Sequence, residues 1–510
     1  MSAHPGALAA SRTTGVLALS NGAACPLAEV PRCSVPELGR LVTGARARGR
    51  RIASLFGAVL DDRFSLVAVL ANDAAGLLEV ACAGLDASAF SSMTPACPEV
   101  HLFEREIAEQ WGVVPEGHPW LKPVRFQPPR RPRAGEPPAI GVTEFYAIEG
   151  GEVHEVAVGP VHAGVIEPGH FRFQCYGETV LHLEISLGYQ HRGVERALVG
   201  GPDARSIHYA ETLAGDTTIG HATAYCAALE ALAGAAVPPR ALALRAIALE
   251  LERLANHVGD LGALSGDVGF LPTASFCGRL RGDYLNLTAE LCGSRFGRGL
   301  VRPGGTRFDV APPLTAEILA RLERALRDTE EAAHLLWDTA SVQARFEDTG
   351  RVTSEVAEQL GTVGLVARAS GLHRDVRTTH PAGYYRFAHA PISVVSTGDV
   401  FGRALVRFLE IRRSVELIRR ELPLLPGGAT LAAVGPLRPE HLAVSMVEGW
   451  RGEICHVAIT DRAGRFAAYK VVDPSFHNWM ALAIALRGQQ ISDFPLCNKS
   501  FNLSYCGHDL

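Results

Sequence analysis

A proline- and arginine-rich stretch at 127–138 constrains the fold of this 510-residue chain more than any other feature. It reads Gln-Pro-Pro-Arg-Arg-Pro-Arg-Ala-Gly-Glu-Pro-Pro and contains five prolines. Because proline lacks an N–H donor and fixes its backbone angle φ, such a stretch cannot form a helix interior or a central strand. We therefore predict an extended linker at 128–150, between a first domain at 1–127 and a second domain at 151–510.

Composition indicates a folded chain and limits its partners. Hydrophobic residues make up 47% of the sequence and charged residues 20%, which excludes disorder as the main state. The formal net charge of −5 argues against nucleic acid, because such a partner requires a strongly basic surface. No apolar run reaches 18 residues, so we expect no membrane span, and we expect no secretory signal at the N-terminus.

Local periodicity predicts an α+β fold. In the first domain, 64–70 is rich in β-forming residues, and 103–112 follows helical spacing with Gly112 placed to end the helix. In the second domain, polar and apolar residues alternate over 152–186, which predicts a small antiparallel sheet. The pattern over 203–425 is mainly helical.

Individual elements of the second domain can also be placed. Pro239 is expected to open a long helix, since its missing N–H falls at an unpaired position. An amphipathic run at 314–345 predicts a further long helix. Near the C-terminus, strands are expected at 454–459 and 466–472, followed by a helix at 477–487.

Cysteine usage points to a reducing compartment. The chain has 11 cysteines, an odd number, without a C-x-x-C pair and without zinc-finger spacing. We therefore expect free thiols. Cys497 and Cys506 could come close in space, and the sequence leaves that open.

Short segments that group His, Arg and carboxylate residues could carry chemistry. They are Gly159-Pro-Val-His162 with Glu167-Pro-Gly-His170, His191-Arg192-Gly-Val-Glu195-Arg196, Glu448-Gly-Trp-Arg451-Gly-Glu453 and Asp473-Pro-Ser-Phe-His477-Asn-Trp479. Each alone also fits a structural role. The segment at 159–170 has the residues of a turn, and the one at 191–196 could be a helix start with surface charges. The segment at 448–453 could be a packed Trp beside an Arg, and the one at 473–479 could be a helix N-cap.

The order of these segments is similar to that of a known family. The segment 103–119 resembles the 30-kDa subunit of respiratory complex I, and 150–510 resembles the 49-kDa subunit. The second part resembles still more closely the large subunits of membrane-bound, energy-converting [NiFe] hydrogenases of the formate hydrogenlyase type, in which both parts are fused. Further segments carry this resemblance: Leu254-Ala-Asn-His-Val-Gly-Asp-Leu-Gly-Ala-Leu, Arg302-Pro-Gly-Gly and Val366-Ala-Arg-Ala-Ser-Gly.

The resemblance implies a small N-terminal α+β domain followed by a mainly helical, hydrogenase large-subunit-like domain with a small antiparallel sheet. It implies an iron–sulfur small subunit that carries a [4Fe–4S] cluster, and antiporter-like and anchor subunits in the membrane. The chain would lie peripherally on the cytoplasmic face of the inner membrane. No cofactor is expected within the chain, and without a G-x-G-x-x-G after a strand NAD binding is not supported.

One departure from the family is decisive for the chemistry. [NiFe] hydrogenases bind nickel and iron through two C-x-x-C pairs, because soft thiolates suit these metals. The resemblance places Ala214 and Thr217 at the first pair and Ser475 and Asn478 at the second. None of them is a thiol, so we expect no nickel–iron centre and no metal site.

Other positions matched by the resemblance are candidates for the functional site. The resemblance places His170 at a quinone headgroup, where an imidazole with a pKa near working pH could donate a proton. His162 and Glu167 in the same turn are further candidates for binding the acceptor. In the family a tyrosine binds the quinone together with this histidine, and the resemblance places Gly215 at the tyrosine position. One of the two quinone-binding side chains is therefore absent, and a quinone stays one candidate acceptor.

Charged residues complete the candidate site. Arg451 matches the arginine that lies over the hydrogenase metals, and it could pair with Asp473 or bind an anionic or carbonyl group. His191, Arg192 and Glu195 match a stretch near the proton-coupled region of complex I. Glu195 beside an arginine is either a proton relay or a buried salt bridge.

Three functions stay open from the sequence. In the first, the chain passes electrons from the iron–sulfur small subunit to a quinone or similar acceptor, coupled to proton transport, with His170, Glu195 and Arg451 as the catalytic candidates. In the second, it is a redox-silent scaffold that couples conformations within such a complex. In the third, it is an active hydrogenase with unusual ligands.

Overall fold

The protein, seen in a computed structural model, is described over residues 11–13, 15–131, 139–164 and 166–510. Helices and small, mostly antiparallel sheets alternate along the chain, which confirms the α+β fold class. Residues 132–138 of the predicted linker lie outside the described residues. Its described flanks, 128–131 and 139–150, contain no helix or strand.

The first part of the chain is built on a mixed sheet. The strands of this part are β1 (Ser11–Thr13), β2 (Val16–Ser20), β3 (Ala23–Pro26), β4 (Arg32–Cys33), β5 (Arg51–Leu60), β6 (Arg63–Asn72), β7 (Leu77–Gly84), β8 (Ala89–Ser91) and β9 (Val114–Glu116). Its helices are α1 (Val35–Thr43) and α2 (His101–Trp111). The sheet has the order β1-β2-β7-β6-β5, with β4 parallel beside β7. Strand β3 lies outside the mixed sheet, and β8 and β9 form a separate two-stranded sheet.

Helix α2 ends where its sequence predicts. Gly112 follows the last helical residue with a φ of 66°, in the left-handed region that glycine adopts without a steric penalty. Its N–H donates to the carbonyl of Ala108 and so satisfies one of the last free acceptors of the helix.

The second part begins with the predicted antiparallel sheet. It consists of β10 (Val153–Val158), β11 (His170–Tyr176) and β12 (Thr179–Ser186), and a small hairpin follows with β13 (Val301–Arg302) and β14 (Gly305–Thr306). The helices of this part are α3 (Val194–Leu198), α4 (Ser206–Glu211), α5 (Thr218–Ala233), α6 (Pro239–Asp267), α7 (Leu271–Cys292), α8 (Pro312–Trp337), α9 (Ala340–Phe346), α10 (Ser354–Gln359), α11 (Gly364–Ala369), α12 (Val376–Thr379) and α13 (Val400–Glu421). Helix α6 begins at Pro239 as predicted.

The prediction of one long helix over 314–345 is wrong. The run is divided into α8 and α9, because Thr339 takes an extended backbone conformation with a ψ of 104°. Its hydroxyl donates to the carbonyl of Leu335 and so caps the end of α8.

The last part contains β15 (His441–Glu448), β16 (Glu453–Thr460), β17 (Phe466–Val472), α14 (Pro474–Ala485), α15 (Phe494–Phe501) and α16 (Tyr505–Asp509). Both predicted strands are confirmed. The helix predicted at 477–487 begins earlier, at Pro474. The Asp473 carboxylate accepts from the N–H of Ser475, which makes Asp473 the N-cap and Pro474 the first helical residue.

The first and last parts of the chain share one core. Strand β3 pairs with β15 and so extends the sheet β17-β16-β15-β3. Residues such as Leu66, Val69 and Phe103 pack in the same buried cluster as Val444, Val457 and Phe476. The linker at 128–150 therefore connects two segments that fold against each other, and the boundaries at 127 and 151 stay a prediction.

Candidate functional site

The positions matched to the metal-binding cysteines are all buried. Ala214 and Thr217 lie before α5, and Ser475 and Asn478 lie in the first turns of α14; none is more than 1% exposed. A methyl group cannot ligate a metal, and hydroxyl and amide oxygens are hard ligands where nickel and iron prefer thiolates. These residues do not fit a nickel–iron centre.

The polar side chains at these positions bind the rest of the chain. The Thr217 hydroxyl accepts from Trp450 Nε1 at 3.1 Å. Asn478 exchanges two hydrogen bonds with the backbone of Val363, at 3.0 and 3.1 Å. Within the described residues, no three His, Cys, Asp or Glu side chains are grouped as metal ligands.

Arg451 lies directly beside this region, in the turn between β15 and β16. It is 5% exposed, and its guanidinium stacks on the indole of Trp450 at 3.9 Å. Its Nη1 and Nη2 atoms donate to the two carboxylate oxygens of Asp216 at 2.5 and 2.8 Å. Burial alone would raise the pKa of Asp216, but the arginine outweighs it and holds the pKa below the usual range. Asp473, which the sequence offered as one possible partner of Arg451, is not the carboxylate that Arg451 binds.

Asp473 instead begins a buried chain of hydrogen bonds. Its Oδ2 atom lies 3.0 Å from Nε2 of His221, and Nδ1 of His221 lies 3.1 Å from Nε2 of His456. Nδ1 of His456 then lies 2.9 Å from the Tyr469 hydroxyl. All members are at most 3% exposed. These hydrogen bonds lead from the positions matched to the metal-binding cysteines to the core between α5 and the last sheet.

The electrostatics of this chain follow from its burial. Burial, and then the neighbouring His221, lower the pKa of His456 well below its ordinary value. Burial alone would raise the pKa of Asp473, but the hydrogen bond with His221 outweighs it and lowers that pKa. His456 is therefore a neutral imidazole, and Asp473 is an ionised carboxylate.

His170 lies at the start of β11, and the turn that leads to it includes the described residues 159–164 and 166–169. Its Nδ1 atom is 3.3 Å from the carbonyl of Gly159, and its Nε2 atom accepts from Nε of Arg172 at 3.3 Å. Its ring packs against Phe145, with 5.1 Å between the ring centroids. Burial is the main cause of a lowered pKa, so the pKa of His170 moves away from working pH. His170 is thus held as a neutral imidazole with its proton on Nδ1.

The other residues of this turn are arranged around it. His162 Nε2 lies 2.9 Å from the carbonyl of Gly169 and so closes the turn. Glu167 lies beside the thiol of Cys506, and the Gly215 backbone lies on another side of that thiol. Burial and then Glu167 raise the pKa of Cys506 to about 11. The position that carries a tyrosine in the family is therefore next to a cysteine here.

Glu195 belongs to a different cluster, between the two parts of the chain. Its carboxylate binds Lys470 Nζ at 3.0 Å, and the same ammonium binds Glu106 of α2 at 2.6 Å. Arg130 lies 3.6 Å from Glu195. Burial alone would raise the pKa of Glu195, but Lys470 and then Arg125 lower it to about 2. Of the two sequence interpretations, this geometry favours the buried salt bridge.

His191 and Arg192 fasten the C-terminal segment rather than face Glu195. Nδ1 of His191 lies 2.7 Å from the carbonyl of Asp509. Arg192 donates to the carbonyls of Thr212 and Leu213 at 2.6 and 2.9 Å. These contacts hold the loop before α5 against α16.

Sequence reasoning missed Asp216, His221 and His456, and it considered Cys506 only as a possible neighbour of Cys497. His221 stands four residues after Thr217, one helical turn along α5, which is a spacing that places both on one face. That spacing was the available signal for His221. All 11 cysteines lie in the described part and are free, as predicted, and Cys497 and Cys506 are not paired.

Comparison with known proteins agrees with this architecture. Residues 29–131 match the family described as respiratory-chain NADH dehydrogenase, 30 Kd subunit, and residues 267–438 match the 49 Kd subunit. Formate hydrogenlyase subunit 5 of Escherichia coli is 29% identical, over 82% of this chain and 76% of that protein. The carbon monoxide-induced hydrogenase of Rhodospirillum rubrum is 32% identical, over 68% of this chain and 97% of that protein.

NADH-quinone oxidoreductase subunit 4 of Thermus thermophilus is 30% identical, over 67% of this chain and 90% of that protein. Such relatives are subunits of multi-subunit membrane complexes. Among the described residues, none of the helices is long and apolar enough to cross a bilayer. The chain belongs to the family of complex I 49-kDa subunits and related hydrogenase large subunits, with a 30-kDa-type domain fused before it, and is a subunit of a complex I-like oxidoreductase.

Proposed function

We propose that this subunit binds an electron acceptor between the His170 turn and Arg451, and that it has no nickel–iron centre. Electrons would reach the acceptor from a [4Fe–4S] cluster in an iron–sulfur small subunit. Antiporter-like and anchor subunits would hold the complex on the cytoplasmic face of the membrane and couple electron transfer to proton transport. A quinone, or another acceptor that offers a carbonyl group, fits the donors present.

One observation carries this proposal: the segment 502–506 contacts Arg451, Ser475 and the turn that leads to His170. The Asn502 carbonyl accepts from Arg451, and the N–H of Ser504 donates to Ser475 at 2.8 Å. The ring of Tyr505 lies against Gly169, and Cys506 lies beside Glu167. The His170 turn and Arg451 are therefore two walls of one region.

The surface of the turn suits an apolar acceptor. Val161 is 75% exposed and Ile166 is 53% exposed, and both lie in the turn that leads to His170. Apolar side chains around a few fixed polar groups are the usual lining of a small-molecule site. The Arg172 guanidinium beside His170 can donate a hydrogen bond to a quinone carbonyl. The two protons that a quinone takes up with two electrons would come from water, because a neutral imidazole and a guanidinium do not release protons at working pH.

A redox-silent scaffold is the second candidate. It is favoured by the contacts that fill the former ligand positions, since Thr217, Ser475 and Asn478 all bind the chain itself. In that case no acceptor would bind at the His170 turn.

The substitution His170→Gln in the intact membrane complex tests the proposal. We expect loss of most quinone reduction with an assembled complex, because the imidazole and its contact with Arg172 are removed. His154→Gln is the matched control, since His154 is exposed on the neighbouring strand β10. Unchanged turnover in His170→Gln would overturn the proposal and favour the scaffold.

A further inference from the structure

A cavity of about 250 Å³ lies apart from the site described above. It is lined by α5, α6, β15 and the turn Gly383–Arg386, with Asn21 from the turn between β2 and β3 on one side, and it opens to the surface at the exposed Arg386. The amide of Asn21 donates to the carbonyls of His380 and Met446 at 2.8 and 2.9 Å. The cavity therefore lies where the 30-kDa-type part meets the larger part.

Most of the cavity wall is apolar. Helices α5 and α6 and strand β15 supply the side chains Ala227, Leu242, Ala246, Leu249, Met446 and Val447. An engineered cavity of roughly 150 Å³ binds benzene. A volume of about 250 Å³ therefore has room for one ring with a short polar substituent.

The carboxylates that line the cavity are already neutralised. Glu230 binds Arg245 at 2.6 Å, and Glu448 binds Arg368 at 2.7 Å. Neither is free to bind a cationic ligand, because each charge has its partner.

Arg386 is different, because no carboxylate pairs with it among the described residues. Its Nη2 atom donates to the carbonyl of Asn21 at 3.2 Å, and its Nε atom to that of Pro381 at 3.5 Å. A guanidinium has five N–H donors, so the remaining ones are available at the mouth of the cavity.

A hydroxyl group that lines the cavity has no hydrogen-bond partner in the described part of the chain. The hydroxyl of Thr223, on α5, is shielded from solvent and has no hydrogen-bond partner among the described residues. A buried polar atom of this kind costs free energy unless a ligand or water satisfies it.

We propose that this cavity binds a small organic anion with a single apolar ring, such as an aromatic carboxylate. The ring would pack between α6 and β15, the carboxylate would bind Arg386, and a ligand oxygen would satisfy Thr223. A bound anion would also join the Asn21 turn to the larger part of the chain. This site is independent of the acceptor site proposed above.

Equilibrium dialysis of radiolabelled benzoate against the purified full-length chain tests the proposal. We expect a Kd below about 1 mM for benzoate and binding at least about tenfold weaker for benzamide, which has the same shape without the charge. Equal binding of both probes, or no binding of benzoate at 1 mM, a concentration of about the expected Kd, would overturn the proposed anion site.

Two variants locate the bound probe. Arg386→Gln is expected to weaken benzoate binding at least about tenfold, whereas Arg324→Gln, at an exposed position on α8, should leave it unchanged. Ala227→Leu should abolish binding by filling the cavity, with no change in the unfolding temperature of more than a few degrees. Wild-type affinity in Arg386→Gln or in Ala227→Leu would place the probe elsewhere and overturn the assignment.

Discussion

Arg451 pairs with Asp216 through two hydrogen bonds, and the pair closes the region where a hydrogenase of this family would hold its metals. Asp473, which the sequence offers as one possible partner of Arg451, binds His221 and the N–H of Ser475 instead. The positive charge of Arg451 is therefore neutralised beside Thr217. The face of its guanidinium stacks on the indole of Trp450.

Asp216→Asn should destabilise the chain. It leaves the Arg451 guanidinium buried without a counter-charge, but the Asp216 side chain is 31% exposed, so water screens part of the loss. We expect about 2 kcal/mol less free energy of unfolding, measured with urea.

Asp86→Asn is the matched control for this variant. Asp86 pairs with Arg63, but its side chain is 75% exposed, so we expect a loss below about 1 kcal/mol. An equal loss in both variants would contradict a special role for the Arg451–Asp216 pair.

The Glu195–Lys470 pair predicts a specific pH dependence of stability. The pKa of Glu195 is about 2 in the folded chain, against about 4.3 in an unfolded one. A lowered folded pKa contributes stability above the unfolded value, and this is lost as pH falls toward the folded value. Glu195→Gln should therefore cost about 3 kcal/mol at pH 7 and progressively less between about pH 5 and pH 3.

Urea unfolding of wild type and Glu195→Gln at several pH values measures this difference. Glu178→Gln, in the exposed turn between β11 and β12, should show no such pH dependence. A cost for Glu195→Gln that is constant down to pH 3, well below the unfolded pKa of about 4.3, would contradict the ion-pair account.

Local signals predicted most elements of the fold. Gly112 ends α2 and Pro239 begins α6 because the cause in each case lies within one helical turn of the residue. The break at Thr339 is not predictable in this way, because the amphipathic period continues across it. The helix ends there because the Thr339 backbone is extended and its hydroxyl binds the carbonyl of Leu335.

The contacts that define the site were not predictable in the same way. Arg451 and Asp216 are 235 positions apart, as are His221 and His456. The resemblance identified Arg451 and His170 from the sequence segments around them. A partner more than 200 positions away leaves no periodic pattern near the residue that it binds. The fold decides which carboxylate an arginine reaches, and here it reaches Asp216.

The hydrogen bond between His456 and Tyr469 should contribute measurably to stability. Tyr469→Phe removes the hydroxyl that lies 2.9 Å from Nδ1 of His456 and leaves that buried nitrogen without its partner. We expect a loss of about 1 kcal/mol in free energy of unfolding. Tyr146→Phe, at a position that is 54% exposed, should have no effect. Equal stabilities of the two variants would contradict a continuous chain from Asp473 to Tyr469.

Cys506 should react slowly with iodoacetamide at pH 8. Burial and the Glu167 carboxylate raise the pKa of its thiol to about 11, so only about one thiol in a thousand is ionised. Glu167→Gln should accelerate alkylation of Cys506 and leave Cys33 unchanged, as measured by mass spectrometry of peptides. The same rate at Cys506 in both proteins would contradict the contact between the turn and the C-terminal segment.

Nickel and iron content tests the central claim most directly, because the residues at the former ligand positions cannot provide thiolates. The membrane complex would be purified through a tag on this chain and analysed for both metals. We predict essentially no nickel, with iron in multiples of about four per chain from [4Fe–4S] clusters of a partner subunit. About one nickel per chain would contradict the account, since it would require ligands other than Ala214, Thr217, Ser475 and Asn478.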